Sequence, residues 1–140
     1  MTKTELLQII ANGENSGVEF KQDNIRPEQL AKEIVALANL QGGKILLGVD
    51  DAGTITGISR PDLETWVMDT VFGRYVHPLI IPYYEVVLMA NGKRVAVVSF
   101  SQGISKPYVV RHNDREDVYI RIGSTSDESS RARDAFRGNG

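Results

Sequence analysis

The chain of 140 residues contains no cysteine, which excludes disulfide bonds and thiolate zinc sites. No apolar run approaches the roughly 20 residues that a transmembrane helix requires. The first residues do not resemble a secretory signal peptide either. Together, these absences predict a cytoplasmic protein with no membrane segment. With 41% hydrophobic and 24% charged residues, the chain has the composition of a globular domain with its own core.

The sequence signatures of several kinds of catalytic site are also missing. The two histidines, His77 and His112, have no metal-binding partner at suitable spacing, so both are predicted to be surface residues. A Ser–His–Asp arrangement cannot be recognised from so many serines and two histidines. There is no Gly-x4-Gly-Lys-Ser/Thr loop, so ATP hydrolysis of the P-loop type is unsupported.

Charge is unevenly distributed along a chain whose net charge is −2. Residues 1–70 carry 6 basic and 11 acidic side chains, whereas residues 71–140 carry 10 basic and 7 acidic ones. A local phosphate-binding face in the second half is compatible with this asymmetry. Ordinary variation of the surface produces the same asymmetry, so charge alone favours no partner.

Apolar spacing and turn residues predict three helices. Thr4 is placed to cap the first helix, and Gly13 to end it. Pro27 suits the first turn of the second helix. The predicted helices cover about 5–12, 27–40 and 61–75.

Alternating apolar residues predict seven strands, and Asn91-Gly92 gives a strong hairpin signal. A second hairpin is predicted around a polar loop at 112–116, with Val118, Ile120 and Ile122 facing inward and Tyr119 and Arg121 on the other side. The order of elements predicts an α+β fold, a single domain with a mixed, mostly antiparallel sheet. The domain is expected over 1–130, and 131–140 is expected to be a polar tail or a truncated helix. The predicted strands cover about 17–22, 44–50, 54–58, 83–90, 93–101, 107–111 and 117–122.

Two short segments combine polar side chains with extended or turn-forming sequence. In an extended 17–22 segment, Val18 and Phe20 face one way and Glu19 and Lys21 the other. That face suits a metal, a phosphate or simply solvent. Gly42-Gly43 either lets a backbone approach a phosphate or ends a helix before a close helix–strand crossing. Asn39 is either a helix cap or a polar contact to the Glu19 strand.

Five motifs, in order and spacing, resemble those of the Schlafen AlbA-like domain family. They run over nearly the whole chain, from about residue 10 to 130. The motifs are Glu14-x4-Glu19-Phe-Lys21, Ala36-x-Ala-Asn39-x-x-Gly42-Gly43, Ile45-Leu-Leu-Gly48-Val-Asp-Asp51-x-Gly53-x-Ile-x-Gly57, Lys106-Pro107-Tyr108 and Val118-Tyr-Ile-Arg121-Ile-Gly123-Ser124-Thr125.

The resemblance implies a nucleic-acid-binding fold, as part of a longer transcriptional regulator or helicase-related protein. Family members that cut RNA hold a divalent metal with three acids, which correspond here to Glu14, Glu19 and Asp51. Mg²⁺ or Mn²⁺ suits such oxygen ligands, and Lys21 could bind the phosphate or stabilise developing charge. The structural alternative is a salt-bridged surface strand beside a turn aspartate.

Basic and aromatic residues in the second half are candidates for nucleic-acid contact, because cations hold phosphates and aromatic rings stack on unpaired bases. Three functions are therefore carried forward. They are a DNA- or RNA-binding domain, a metal-dependent ribonuclease, and a nucleotide-sensing (ATP-binding) or protein-interaction module without catalysis. The candidate contact residues are Lys21, Lys106, Tyr108, Arg111, Arg115, Tyr119 and Arg121.

Overall fold

Three helical segments and eight strands make up the fold of a computed structural model that describes residues 1–123 and 125–128. The predicted tail at 131–140 lies outside the described residues. The helices are α1 (Lys3–Asn12), α2 (Pro27–Leu40) and α3 (Leu63–Thr65), which continues as a π-helix over Trp66–Tyr75. The strands are β1 (Val18–Lys21), β2 (Gly42–Leu47), β3 (Val76–His77), β4 (Tyr83–Leu88), β5 (Arg94–Ser101), β6 (Val109–His112), β7 (Arg115–Ile122) and β8 (Thr125–Glu128).

The strands form two four-stranded sheets. The first sheet has the order β1-β2-β5-β4, with β1 parallel to β2 and the other neighbours antiparallel. The second sheet has the order β3-β6-β7-β8 and is antiparallel throughout. The predicted α+β class with mixed, mostly antiparallel pairing is confirmed, and the strands divide between two sheets.

The two faces of the first sheet pack against different elements. One face packs on α1 through a small core that includes Leu6, Phe20 and Leu46. The opposite face packs on α2, the π-helix and the second sheet through a larger core that includes Ile34, Ile45 and Phe72. The sequence of β2 is apolar on both sides because both sides are covered. Within the described part of the chain, no helix is long and apolar enough to cross a bilayer.

Local signals located the helices closely. The predicted cap of α1 was wrong by two residues, because Thr2, rather than Thr4, accepts the backbone N–H of Glu5 at 3.1 Å. Gly13 ends that helix with a φ of 79°, which a side chain would disfavour. Pro27 begins α2, as predicted.

Two predicted strand segments differ in the structure, and both differences arise at turns. The predicted strand 54–58 is reduced to a single bridge between Val49 and Ile55. Asp50 causes this, because its Oδ1 accepts the N–H groups of Ala52 and Thr54 and closes a local turn. The predicted 112–116 loop is also shorter, since β6 and β7 pair up to a two-residue turn at Asn113-Asp114, both with positive φ.

The diglycine opens β2 and lies between neighbouring backbones. Helix α2 has already ended at Leu40, and a Cβ at Gly42 would lie 2.4 Å from the carbonyl oxygen of Phe100. A Cβ at Gly43 would lie 2.4 Å from the carbonyl oxygen of Gly17. The glycines therefore permit close packing of β1, β2 and β5, which agrees with the packing interpretation of this motif.

Candidate functional site

Glu19 lies in the interior, on the α2 face of the first sheet. Its side chain meets Arg121 from β7, whose Nη1 is 2.6 Å from Glu19 Oε2. The same Nη1 is 3.2 Å from Glu33 Oε2 of α2. These contacts join strand, helix and second sheet around one guanidinium, and Glu19 is only 5% exposed.

Arg121 also holds the backbone just before and within β1. Its Nη2 donates to the carbonyl oxygens of Asn15 at 2.8 Å and Val18 at 3.2 Å. The side chain has no exposed surface, so the prediction that it contacts nucleic acid was wrong. The predicted facing of β7 was wrong as well, because Arg121 is buried and Ile122 is 58% exposed.

Of the other residues predicted for the catalytic site, Glu14 and Lys21 lie beside Glu19 and Asp51 does not. Glu14 accepts the N–H of Phe20 at 3.1 Å. Lys21 lies on the same face as Glu19, with Nζ 3.4 Å from Glu19 Oε1. Asp51 is exposed and lines a separate cleft of about 330 Å³ with Lys21 and Asp50. The structure thus brings Glu14 and Lys21 close to Glu19, whereas Asp51 lines the neighbouring cleft together with Lys21.

The carboxyl group of Glu19 has a higher pKa than an ordinary glutamate. Burial raises the pKa of Glu19 to about 8, and a hydrogen bond with Glu14 and the charge of Glu33 act in the same direction. A hydrogen bond from Arg121 and its positive charge act in the opposite direction and offset this rise only in part. Burial thus favours the protonated form of Glu19 beside the contact between Arg121 and Glu33.

We expect Glu19→Gln to flatten the pH dependence of folding. The folded pKa is raised above the ordinary 4.5, so this group stabilises the fold fully below that value and loses its contribution as pH rises through about 8. Wild-type stability should fall by on the order of 1 kcal/mol per pH unit between about pH 5 and 8. Urea unfolding across this range measures the slope.

Glu64→Gln, at an exposed helical position, is the matched control and should keep the wild-type slope. An ionised Glu19 paired with Arg121 would give a different result. In that case Glu19→Gln would cost about 3–5 kcal/mol even at about pH 6, because it would remove one partner of a buried pair.

The acidic residues, as the structure places them, do not fit a shared Mg²⁺ or Mn²⁺ site. Among the described residues, no three acidic or histidine side chains lie close enough together to hold a metal ion. Glu19 is committed to Arg121, and Glu14 to the backbone of Phe20. The positions of these residues therefore do not support the metal-dependent catalysis that the resemblance implies.

Two aromatic residues predicted to stack on bases are occupied by internal contacts. Tyr108 is 4% exposed, its hydroxyl accepts the N–H of Ser105, and its ring fills the space beside Gly103. Tyr119 packs against the larger core, and Lys32 lies over its ring at 5.6 Å. The prediction was wrong for Tyr108, which cannot offer a ring face to a ligand.

Three of the predicted cations remain at the surface, and one of them, Arg115, is paired with Asp117. Arg111 is exposed and paired with Glu116, an arrangement of little energetic consequence. Lys106 is exposed and donates to Leu40 O and Gln102 Oε1, both at 3.2 Å. These contacts hold the ammonium group of Lys106 at the surface beside Gln102.

A broad cavity lies on the opposite face of the first sheet from Glu19. We call it the open cleft. It has a volume of about 680 Å³, and among the described residues that line it none is acidic. Helix α1 covers the other half of the same face and leaves this half uncovered. Its lining includes Val18, Lys44, Tyr83, Ser99, Ser101 and Gln102.

The polar side chains that line the open cleft can all donate hydrogen bonds. Lys44 is half-buried, and its Nζ donates to Ser99 Oγ at 3.3 Å. Gln102 connects the cleft to Lys106 through the contact described above. Glu85 lies on the same sheet face, where it is paired with the amino group of Met1. One ammonium inside and another at the end make this surface suitable for anions.

Sequence reasoning missed Lys44 and Tyr83 as candidate ligand contacts. Each stands in a strand where alternation suggests ordinary surface or core positions, and strands from four parts of the chain build the cleft. The available signal was the lysine that interrupts the apolar run of β2 immediately after the diglycine.

Two solved structures share this fold. The N-terminal domain of a RecG-related protein from Nitrosomonas europaea has a TM-score of 0.66 and 23% identity, covering 91% of this chain and 92% of that one. The DIP2311 protein from Corynebacterium diphtheriae has a TM-score of 0.61 and 18% identity, covering 93% of this chain. The match spans 32% of DIP2311, about a third of its length. No curated relative matches the sequence.

The two sheets and the α2 helix packed against them form an α+β domain. The family model described as "Schlafen, AlbA_2" matches residues 14–130. The chain therefore belongs to the Schlafen AlbA_2 family, and the resemblance seen in its motifs is confirmed.

Proposed function

We propose that this chain is a nucleic-acid-binding domain that holds phosphate groups in the open cleft. The observation that carries the proposal is a cleft of about 680 Å³ with Lys44 inside and no acidic residue among its described lining. Phosphate contacts through lysine, hydroxyl and amide groups are the usual source of affinity for nucleic acid. Family membership supports the same interpretation, and the Nitrosomonas neighbour is named for its relation to an ATP-dependent DNA helicase.

The arrangement of donors suits a chain of phosphates better than a single one. Lys44 lies on the floor of the cleft, with the hydroxyl of Ser99 in contact with its ammonium. Lys106 lies at the end of the cleft, joined to it by Gln102. Two cations separated along one surface can contact different phosphates of the same strand. In this proposal, Glu19 and Arg121, on the other face of the sheet, stabilise the fold.

Lys44→Gln should weaken binding to a short oligonucleotide by about three- to tenfold and lower the salt slope by about 0.7–0.9, the loss of one phosphate contact. The double variant Lys44→Gln/Lys106→Gln should lose about twice that slope. Fluorescence anisotropy at several salt concentrations measures both quantities.

Lys93→Gln is the matched control, because Lys93 is exposed near the β4–β5 turn and does not line the cleft. It should retain wild-type affinity and slope. If all three variants bind alike, or if wild-type protein shows no salt-dependent binding to DNA or RNA, the proposal is wrong.

A further inference from the structure

We infer that the open cleft accepts an unpaired strand, with a base stacked on Tyr83 and a neighbouring phosphate at Lys44. This inference rests on the proposed function and specifies its ligand. It begins from a row of four residues that are direct partners in the strand registers. Val18 pairs with Lys44, Lys44 with Ser99, and Ser99 with Tyr83. All four line the same cleft.

The row places a cation and an aromatic ring at a defined separation. Lys44 and Tyr83 stand two strand spacings apart, which is about 10 Å between their backbones. The ammonium group of Lys44 reaches Ser99, which stands between the two strands, and Tyr83 lines the same cleft on the far side of Ser99. The register therefore fixes a phosphate contact and a stacking surface within one or two nucleotides of each other.

Tyr83 differs from the other tyrosines that were candidates for stacking. It is 65% exposed, whereas Tyr108 is 4% exposed. Beside it, Ile81 also lines the cleft and is 80% exposed. The exposed aromatic ring and its apolar neighbour can contact a base, and the ammonium group beside them can contact a phosphate. A simple phosphate would use the cation and leave the apolar surface in water.

A duplex cannot use this arrangement, because its bases are stacked inside and its phosphates lie outside. An unpaired strand exposes its bases, and sheet surfaces with aromatic residues are a recurrent way to bind them. Stacking tolerates every base, so little sequence preference is expected. The cleft should therefore prefer single strands over a duplex of the same sequence.

Anisotropy with a single-stranded oligonucleotide and its duplex form tests this inference. Tyr83→Ala and Tyr83→Leu should each weaken single-strand binding by about tenfold, and Tyr83→Phe should keep it. The leucine variant retains apolar volume without a ring, so it separates stacking from simple burial. Urea unfolding of each variant checks that the exposed position leaves the fold intact.

The outcomes separate the two proposals. Loss in Tyr83→Ala and Tyr83→Leu, with retention in Tyr83→Phe and a preference for single strands, supports the inference. Equal binding of single strand and duplex, weakened by Lys44→Gln and unaffected by Tyr83→Ala, overturns it and leaves the proposed function standing. Absence of binding to either form overturns both.

Discussion

Replacing Arg121 with methionine should destabilise the protein by about 3–5 kcal/mol, because it leaves buried carboxyl groups without their cation. The guanidinium contacts Glu19 and Glu33 and donates to the carbonyl oxygens of Asn15 and Val18. Methionine fills similar space and makes none of these polar contacts. Since domains are stable by only about 5–15 kcal/mol, much of the total would be lost. Urea unfolding should show a lower midpoint with an unchanged m-value.

Two further variants test the cause of this loss. Arg121→Lys keeps the charge with fewer donors, so its stability should fall between the wild type and Arg121→Met. Adding Glu33→Gln to Arg121→Met should recover part of the loss, because one uncompensated carboxylate is removed. A change of less than about 1 kcal/mol in Arg121→Met would contradict the structural role.

Asn39→Ala should cost about 3 kcal/mol, since it removes three hydrogen bonds of about 1 kcal/mol each. The side chain accepts the N–H of Tyr108 at 2.7 Å and donates to the carbonyl oxygens of Tyr108 at 3.0 Å and Tyr119 at 2.9 Å. One amide thus fastens α2 to β7 and to the residue just before β6. Thermal or urea unfolding measures the loss, and the exposed Asn24→Ala is the matched control, expected to stay within about 0.5 kcal/mol.

Asn39→Asp separates the amide's donor role from its shape. At neutral pH its carboxylate would face two carbonyl oxygens, so it should be at least as destabilising as alanine. Stability relative to alanine should recover as the acid protonates below about pH 4. If Asn39→Asp equals wild type at neutral pH, the assigned contacts to Tyr108 and Tyr119 are incorrect.

The sequence predicted features that local chemistry determines. Pro27 began α2 as expected, and Asn91-Gly92 joined β4 to β5. These signals act within a few residues, so they need no knowledge of the rest of the fold. The order of the predicted elements supplied the α+β class, and the family resemblance pointed to Glu19.

The sequence could not predict which polar residues the fold would bury. Arg121 meets Glu33 and Asn15 across separations of 88 and 106 residues, so strand alternation alone assigned it to the solvent face. Tyr108 is buried because Gly103 leaves room for its ring, since a Cβ there would lie 1.7 Å from it. The sequence allows Asn39 to be either a helix cap or a contact to the Glu19 strand, and in the structure it contacts β7 and the residue just before β6 instead.

The two faces of the first sheet have different roles in this account. Glu19 and Lys21 lie on the α2 face, where Glu19 joins the interior network. Lys44 and Tyr83 lie on the α1 face, half of which stays open. The acid-x-lysine pattern of β1 therefore lies on the face that packs on α2, and the open cleft lies on the other face.

Mapping amide chemical shifts during titration with a single-stranded oligonucleotide tests the central claim most directly. The account predicts that the largest changes fall on Lys44, Ser99 and Gln102, which line the open cleft. The amides of Glu19 and Asp51 should change little. Changes concentrated at Glu19 and Asp51, with Lys44 and Ser99 unaffected, would contradict the account and place the ligand on the acidic side of the sheet.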